Sequence, residues 1–600
     1  MVPISRIAVA AVAGCLVVGV AMSAAHAGPR SKDRTKLSRA LNTDLALEAR
    51  LAKGSGARIP VIVTAEPGRE LVLDATLGRL RVKEARALLQ AGARVAWLTP
   101  DEIAELGESG AASGISLDAA VHATQARARS RVSQRFPLKA PGSALRGTTQ
   151  VPPTALGTGV GVAIVDSGLS PIAGLRERIT AFYDFTTGVP VARTPLDPYG
   201  HGTHVAGIIG GVLGDGVAGV APGVRFIGLR VLDNKGAGAT SHVIAALDFA
   251  VQHRHALGIQ IINLSLGRPI TESAATDPLV RAVERAVRAG IVVVTSAGNM
   301  GTNPATGQVG YAGIYSPGNA PSAITVGAAT GGETATRGDD RVAAFSSRGP
   351  TWYDGLSKPD LVAPGVGVVS AMAPFSTLAS HNELKVKGKY GTYLKLSGTS
   401  MATPVVTGVV ALILEASAAA CPARACPPLT PAAVKALLQY TATPLVDNAG
   451  VEYDALTQGA GEVNAAGAIA LAQNIDTRMP VGSAWLRTGF DPWTNAAGEQ
   501  WEWSQAIIWN NRLVGGGVIE RNHPAWANTV VWGTDDSIVW GTDLDTIVWG
   551  TNVVWDDTVV WGTTIVWGTG LFDLDTIVWG TLDLGTVVWG MSGDGPDAGR

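Results

Sequence analysis

Runs of apolar residues divide the chain into regions with different hydrophobic patterns. From Gly159 to about Ala472, short runs rich in β-branched residues, such as Val160–Val165, alternate with stretches of helical periodicity, such as Ser241–Gln252. Apolar strands separated by helices are typical of a parallel sheet that is covered on both faces. The pattern therefore predicts an α/β domain, a parallel sheet with helices on both faces, which we place at residues 146–475.

Residues 28–145 have a different pattern. Strand-like runs are found at Ile59–Thr64, Arg94–Pro100 and Gly114–Asp118, and helical patterns are found near Lys83–Ala91 and at Asp101–Gly107. This interleaving predicts a small α+β domain. A basic linker ends the region, and we expect it to be open to cleavage; its arginines are Arg127, Arg129, Arg131 and Arg135.

The first 27 residues have the pattern of a secretory signal peptide. Arg6 precedes an apolar run, Ile7–Met22, and the small-residue site Ala25-His-Ala27 follows. A lipoprotein signal is the alternative, because Val12–Cys15 resembles a lipobox. No later run reaches the roughly 18 apolar residues of a membrane span. We expect a mature chain without a transmembrane segment, secreted or associated with the cell surface.

The C-terminal region is rich in tryptophan. Residues 476–515 mix Gly, Asn and Pro with polar residues and are predicted to be a linker, whereas residues 516–590 repeat the unit Thr-Ile-Val-Trp-Gly-Thr. Repeated strand formers predict a β-rich array, and residues 591–600 are predicted to be a disordered tail. Two interpretations of the array stay open: strands stacked through their Trp rings, or a face that contacts a cell-surface polymer or polysaccharide.

Composition narrows the classes of function. The chain has 47 basic and 49 acidic side chains and a formal net charge of -2, so it lacks the basic excess typical of nucleic-acid binders. Three cysteines in 600 residues exclude a disulfide scaffold. Cys421 and Cys426 can pair if their Cα atoms approach within about 7 Å; the alternative is two free thiols.

Three segments of the α/β region supply the parts of a nucleophilic site. Asp166 ends an apolar strand, His201 opens His201-Gly-Thr-His-Val-Ala-Gly207, and Ser400 precedes an apolar helix. A serine hydroxyl becomes a strong nucleophile only when a neighbouring imidazole takes its proton, and that imidazole needs an acceptor to fix its tautomer. The sequence predicts a triad of Asp166, His201 and Ser400. His204 is predicted to be a packed helix residue.

A tetrahedral intermediate also needs donors for its oxyanion. Asn299 follows a strand and a Gly turn, so its side-chain amide is the predicted donor, with the backbone N–H of Ser400 as the second.

These residues lie in motifs that resemble the subtilases, the subtilisin-like serine peptidases, in the same chain order of Asp, His and Ser. The matching motifs are Asp166-Ser-Gly, His201-Gly-Thr-His-Val-Ala-Gly, Gly219-Val-Ala-Pro-Gly, Asn263-Leu-Ser-Leu-Gly, Ala297-Gly-Asn, Phe345-Ser-Ser-Arg-Gly-Pro and Gly398-Thr-Ser-Met-Ala-Thr-Pro. The resemblance implies a subtilisin-like fold and an extracellular endopeptidase that hydrolyses polypeptides through an acyl-enzyme. It also implies that residues 28–145 are a propeptide, an intramolecular inhibitor removed by self-cleavage.

The resemblance also indicates which residues bind substrate. Ser265, Leu266 and Gly267 resemble the edge strand that pairs with the substrate backbone, and Ser296, Ala297 and Gly298 precede Asn299. Tyr315 stands where the family usually has a small residue at the base of the primary pocket. We therefore expect a preference for small residues at P1, the residue that contributes the scissile carbonyl.

No cofactor or metal is required by these motifs. Asp184 and Asp197 suggest a structural calcium site, but no loop has a spaced pattern of oxygen ligands, and calcium stays open. The alternative function is a surface-binding or adhesive protein in which the C-terminal array is the working part.

Overall fold

The computed structural model describes residues 44, 47, 50–51, 57–82, 85–124, 143–303, 306–331, 336–421, 426–487, 489–496, 498–509, 512–515, 517–527, 538–542, 545–549, 558–562 and 578–580. We call residues 57–124 the N-terminal segment, 143–475 the main domain and 476–527 the C-terminal segment. The predicted signal peptide, the four linker arginines and the predicted tail 591–600 lie outside the described residues.

The strands, in chain order, are β1 Ile59–Ala65, β2 Arg86–Leu88, β3 Ala93–Leu98, β4 Ala112–Leu117, β5 Ala120–Ala123, β6 Gly161–Asp166, β7 Ile179–Asp184, β8 Val191–Ala192, β9 Arg225–Arg230, β10 Ala237–Ala239, β11 Ile259–Leu264, β12 Leu266–Pro269, β13 Val292–Ser296, β14 Tyr315–Ser316, β15 Ile324–Ala329, β16 Leu361–Pro364, β17 Val368–Ser370, β18 Lys385–Lys387, β19 Thr392–Leu396, β20 Trp493–Ala496, β21 Glu499–Glu502, β22 Ala506–Trp509, β23 Arg512–Gly515, β24 Ile538–Thr542, β25 Asp545–Trp549, β26 Thr558–Gly562 and β27 Val578–Gly580.

The α-helices, in chain order, are α1 Glu70–Arg79, α2 Pro100–Glu108, α3 Ser143–Thr148, α4 His201–Gly210, α5 Thr240–Leu257, α6 Pro278–Arg288, α7 Thr399–Ala419, α8 Pro431–Thr441, α9 Ala455–Gln458, α10 Ala465–Asn474 and α11 Pro524–Ala527.

The main domain is built on an eight-stranded sheet in the order β16-β15-β13-β11-β6-β9-β7-β8. All neighbouring strands are parallel except the edge pair β7 and β8. Side chains alternate between the faces of each strand, so Val162 and Ile164 of β6 join one buried cluster while Ala163 and Val165 join the other. The first cluster includes α4, α7, α8 and α10, and the second includes α5 and α6. The predicted parallel sheet with helices on both faces is confirmed.

Helix α7 runs through the first cluster. Its residues Val405–Ile413 are buried, and 78% of its most apolar stretch lies inside the fold. Among the described residues it is the one helix that is long and apolar enough to cross a membrane. Its burial against the sheet and its neighbouring helices identifies it as the central core helix.

The N-terminal segment forms an antiparallel sheet in the order β2-β3-β1-β4, packed with α1 and α2. Helix α2 begins with a capping box, since Thr99 Oγ1 accepts the N–H of Glu102 and the Glu102 carboxylate accepts the N–H of Thr99. In place of the α-helix expected near Lys83–Ala91, the structure has a strand, Arg86–Leu88, followed by a single 3-10 turn, Leu89–Ala91. Residues Arg86–Leu88 pair with β3, and α1 lies earlier in the chain, because pairing with a neighbouring strand outweighs local helical pattern.

The prediction that residues 476–515 are a linker is also wrong. In the C-terminal segment Trp485 is 3% exposed, Trp503 5% and Trp526 1%, and all three belong to the cluster around α7. Each indole N–H has a hydrogen-bond acceptor within the segment, which removes the main cost of burying it. The buried core of the main domain therefore includes side chains of the C-terminal segment and does not end near residue 475.

Backbone contacts fix the C-terminal segment to α8 as well. The N–H of Gln505 donates to the carbonyl of Tyr440 at 2.9 Å, and the N–H of Ser504 donates to that of Ala442 at 2.7 Å. The Trp503 ring stacks on Phe490, with ring centroids 5.6 Å apart. The polar residues that suggested a linker are thus connections between buried aromatic anchors.

Four short strands of the predicted array are described. β24 and β25 are antiparallel, whereas β25, β26 and β27 are parallel and bring the backbones of Trp549, Trp561 and Trp579 into one register. The array as a whole stays a prediction, since most of residues 528–600 lie outside the described part of the chain.

Cys421 and Cys426 form a disulfide just after α7, with their Cα atoms 5.8 Å apart. The pairing that the sequence left open is therefore confirmed.

Candidate active site

Asp166 and His201 meet at the carboxyl end of the parallel sheet. Asp166 is the last residue of β6 and His201 is the first of α4, and both are fully buried. His201 Nδ1 lies 2.8 Å from Asp166 Oδ1 and 3.0 Å from Oδ2. Such a contact fixes the imidazole tautomer and leaves Nε2 to act as a base.

A glycine allows this close approach of helix and strand. A methyl group on Gly202 would lie 2.2 Å from the Gly168 carbonyl oxygen and 3.2 Å from the Asp166 side chain. Any larger residue would push α4 away from β6 and separate His201 from Asp166.

Asp197 holds the same junction together. Its Oδ1 accepts the Ser167 hydroxyl and the Gly200 N–H, both at 2.8 Å. Its Oδ2 accepts the N–H of Thr203 at 2.8 Å and the Thr203 hydroxyl at 2.6 Å. Sequence reasoning placed Asp197 near a calcium site, whereas its carboxylate here is used to tie the residue after Asp166 to the start of the His201 helix.

The other calcium candidate is likewise engaged by protein groups. Asp184 accepts from Thr186 and contacts Arg230 at 2.8 Å. Among the described residues, no group of three or more His, Cys, Asp or Glu side chains is placed to hold a metal ion.

Ser400 is the second residue of α7 and is fully buried. Its hydroxyl donates to the carbonyl of Ser265 at 3.0 Å and lies 2.5 Å from Thr124 Oγ1. His201 Nε2 has no hydrogen-bond partner among the described residues. In this arrangement the serine hydroxyl thus donates to the Ser265 carbonyl and not to His201.

Asn299 supplies a donor beside Ser400. Its Oδ1 accepts the N–H of Thr399 at 3.0 Å and the Thr399 hydroxyl at 3.2 Å, which turns Nδ2 toward the cleft. Thr399 is a positioning residue that sequence reasoning missed, although it lies within the Gly398-Thr-Ser motif.

The end of the N-terminal segment occupies the cleft. Strand β5 lies between β10 and β12 and is antiparallel to both. On β12 it pairs with Leu266 and Gly267, and the N–H of Thr124 donates to the carbonyl of Ser265 at 3.3 Å. Ser265–Gly267 thus pairs with an extended chain, as expected for an edge strand that binds peptide.

The Thr124 carbonyl oxygen receives both predicted oxyanion donors. Asn299 Nδ2 donates to it at 2.7 Å, and the backbone N–H of Ser400 donates to it at 3.4 Å. No sequence pattern singled out Thr124; the basic linker begins only a few residues later. The Thr124 carbonyl is therefore the group held by the two predicted oxyanion donors beside Ser400.

Of the remaining predicted substrate-binding residues, Ser296 contacts the Thr124 side chain, with the two hydroxyl oxygens 2.7 Å apart. Ser296, Ala297 and Gly298 form a wall at the end of β13, and a methyl group on Gly298 would come within 3.0 Å of the Tyr315 ring. Tyr315 is partly buried in β14, which pairs with β12, and burial raises the pKa of its phenol.

His204 lies one turn after His201 and is fully buried. Its Nε2 donates to the Leu394 carbonyl at 3.1 Å, and burial together with the nearby His201 lowers its pKa to about 3. The prediction of a packed helix histidine is confirmed.

The fold and the site define a class: a parallel-sheet α/β protein with a serine-hydrolase type of site, made of an Asp–His pair, a serine at a helix start and an amide donor. Comparison with known proteins gives the family. Residues 157–461 match the Subtilase family, and the chain belongs to that family.

The chain is similar to individual members. It is 40% identical over 321 residues to the serine protease AprX of Bacillus subtilis, covering 52% of this chain and 66% of AprX. It is 38% identical over 299 residues to an extracellular serine proteinase of a Thermus species, covering 50% of this chain and 58% of that protein. The matched regions thus span 58 to 66% of these two relatives, less than two thirds of each.

A solved structure supports the fold. Fervidolysin from Fervidobacterium pennivorans, described as a keratinolytic enzyme related to subtilisin, aligns with a TM-score of 0.52 at 24% identity. The alignment covers 69% of this chain and 61% of fervidolysin.

Proposed function

We propose that this protein is a secreted serine endopeptidase that is made as a self-processing precursor. One observation carries the proposal: the Thr124 carbonyl oxygen accepts from Asn299 Nδ2 at 2.7 Å and from the backbone N–H of Ser400 at 3.4 Å. The fully buried Asp166–His201 pair supplies the base that the same chemistry needs. Family membership supports the same chemistry. Its substrates are polypeptides bound in extended form between β10 and β12.

In the proposed acylation step, Ser400 Oγ attacks the P1 carbonyl carbon while His201 Nε2 takes the hydroxyl proton. The carbonyl oxygen becomes an oxyanion held by Asn299 Nδ2 and the Ser400 N–H, which need no rearrangement to receive the charge. Asp166 stabilises the imidazolium. The intermediate collapses when the C–N bond breaks and His201 gives its proton to the leaving amine.

In the second step, water replaces the amine. His201 removes a proton from water, the hydroxide attacks the acyl-serine, and Ser400 recovers its proton as the acid product leaves. No metal or cofactor is needed for either step.

We propose that the first substrate is the chain itself, at Thr124–Gln125. After cleavage the N-terminal segment stays in the cleft as an inhibitor, because Thr124 then occupies the position of a product carboxylate. Two observations support such an inhibited state: Ser400 contacts the Ser265 carbonyl and Thr124 Oγ1, and His201 Nε2 has no partner within the described part of the chain. We further propose that residues 1–27 direct export.

The test uses the full chain and the Ser400→Ala variant, expressed in a host without other proteases. The wild-type chain should yield a new N-terminus at Gln125, label at Ser400 with a fluorophosphonate and degrade casein. The variant should remain uncut and unlabelled, since removing the nucleophile of a subtilisin triad lowers kcat by about 10⁶. Processing of the variant at Thr124–Gln125 would refute the proposal.

Surface binding through the Trp-rich array stays an alternative prediction. Its test compares cell-wall and polysaccharide binding of the full chain with that of a chain ending at residue 527. Binding by the full chain alone would assign attachment to residues 528–600.

A further inference from the structure

The side chain of Thr124 is held as closely as its backbone. Thr124 is 5% exposed, and its Oγ1 lies 2.7 Å from Ser296 Oγ. Ser296 ends β13 and is 1% exposed, so the two hydroxyls meet in a region from which water is largely excluded. The Ser296 hydroxyl therefore hydrogen-bonds to a polar atom on the side chain of the residue in the P1 position.

Thr124 is the close partner of the Ser296 hydroxyl. The other acceptor within reach among the described residues, the Leu266 carbonyl oxygen, is 3.5 Å away, at the outer limit of a hydrogen bond. A P1 side chain without a hydroxyl would leave Ser296 with this weak contact alone. Leaving a buried polar group poorly paired is more costly than the average gain from one hydrogen bond.

The pocket also limits the size of the P1 residue. The Tyr315 ring lies against Gly298 on one wall, and the Tyr315 Cβ lies 3.2 Å from a methyl group built on Gly267 of the other. The ring thus fills the space that an aromatic P1 side chain would need. A short side chain with a hydroxyl on Cβ satisfies both the size limit and Ser296.

We propose that the primary pocket selects a β-hydroxyl at P1, with Ser296 as the specificity-determining residue, so that Thr and Ser are preferred over Val and Ala. The inference rests on the proposed endopeptidase function. The preferred cleavage sites are then peptide bonds on the carboxyl side of Thr or Ser.

The first test uses peptides that differ only at P1, with Thr, Ser, Val, Ala or Phe. Because Thr and Val are nearly isosteric, their ratio of kcat/KM isolates the hydroxyl. We expect the processed wild-type enzyme to favour Thr over Val about tenfold, which corresponds to about 1.4 kcal/mol. Phe should be the poorest substrate. The ratio is measured within one preparation, so it does not depend on how much enzyme is active.

The Ser296→Ala variant should bring the Thr to Val ratio close to one. Thr295→Val is the matched control, because the Thr295 hydroxyl is buried next in the chain and has no hydrogen-bond partner among the described residues. It should keep the wild-type ratio. A tenfold ratio that persists in Ser296→Ala would overturn the role of Ser296.

The second test uses the chain's own processing. Thr124→Val should slow cleavage at Thr124–Gln125 about tenfold in the wild-type background and have little further effect in Ser296→Ala. Such coupling in a double-mutant cycle isolates the contact of the two hydroxyls from the contact of Thr124 with Ser400. Additive effects would overturn the inference.

The outcomes separate the inference from the function on which it rests. Equal rates for Thr and Val peptides overturn β-hydroxyl selection while leaving the endopeptidase in place. Failure of the wild-type enzyme to cleave any peptide, its own chain included, overturns the proposed function itself.

Discussion

The N-terminal and C-terminal segments both pack on the main domain, but they are built differently. The N-terminal segment has its own buried cluster, in which one face of its sheet packs on α1 and α2. The other face, with Ile62 and Val95, lies against the cluster of α5 and α6. The C-terminal segment instead inserts Trp485, Trp503 and Trp526 into the cluster around α7.

The N-terminal segment is thus a separable unit bound to the main domain, whereas the C-terminal segment is a structural part of that domain's core. The N-terminal segment is joined to the main domain by one apolar face of its sheet, by strand pairing and by polar contacts, such as Asp118 with the N–H and hydroxyl of Ser241, at 2.8 and 2.7 Å, but its cluster around α1 and α2 is separate from the main core. Its departure leaves its own core intact. Removal of the C-terminal segment would expose the main core itself, because its buried aromatic rings are part of that core.

The largest expected effect comes from shortening the chain at two positions. A chain ending at residue 475 loses all three buried tryptophans and should fail to accumulate as folded protein. A chain ending at residue 527 keeps them and should fold and unfold like the full chain. Soluble yield and thermal unfolding measure both. A chain ending at 475 with an unchanged Tm would mean that the C-terminal segment is as separable as the N-terminal one.

A single substitution tests whether a buried tryptophan of the C-terminal segment stabilises the main core. Trp503→Ala should lower the free energy of unfolding by about 3 to 5 kcal/mol, the usual cost of deleting a buried aromatic side chain. Trp352→Ala is the control, since Trp352 is 56% exposed and should change stability by no more than about 0.5 kcal/mol. Urea unfolding measures the difference, and equal effects of the two variants would contradict burial as the cause.

Asn299→Ala should slow release of the N-terminal segment without changing the stability of the fold. Loss of one oxyanion donor lowers kcat by about 10² to 10³, a magnitude taken from a subtilisin, so separation at Thr124–Gln125 should slow by that factor. Thermal unfolding of the uncut chain should stay within a few degrees of wild type. An unchanged rate would show that Asn299 does not stabilise the intermediate.

The smallest expected effect is a pH dependence of the binding between the cleaved N-terminal segment and the main domain. Glu272 is 1% exposed and accepts from Ser116 of the N-terminal segment at 3.0 Å. Burial raises the pKa of Glu272 well above its usual value, and repulsion from Asp277 and from Asp44, which precedes the N-terminal segment in the chain, outweighs the attraction of Arg268.

The sign follows from the loss of burial and of the Asp44 charge, which outweigh the loss of the Ser116 hydrogen bond. Once the cleaved segment leaves, Glu272 regains water and ionises more readily, so segment binding is strongest below the ordinary glutamate pKa and weakens as pH rises toward the raised pKa. Glu272→Gln should reduce this loss. Co-elution of the cleaved segment with the main domain at pH 5 and pH 8 measures it, and identical pH dependence in the variant would exclude Glu272 as its source.

The local parts of this molecule were predictable from the sequence. Asp166, His201 and Ser400 each lie in a short motif at a strand end or helix start, and the alternation of β-branched runs with helical periods predicts the parallel sheet. Such signals depend on neighbours in the chain, which a single sequence displays.

The parts that depend on distant contacts were not predictable. Trp503 stands among polar residues, and only packing with Tyr440 and Phe490 makes it a core residue. Asp197 resembles a metal ligand until Ser167 and Thr203 are seen to occupy its oxygens. Thr124 has no local signal at all, because its role arises from strand pairing with β10 and β12.

For the proposed endopeptidase, the position of Ser400 on helix α7 has a consequence for self-digestion. Because the proposed nucleophile begins the helix around which the main core packs, a molecule that loses its core also loses its active site and should no longer be proteolytic. Folded molecules are then the only active proteases, and unfolded molecules are the most easily cleaved substrates. The rate of self-digestion follows the product of the two populations, so it is greatest at the midpoint of the unfolding transition and falls on either side of it.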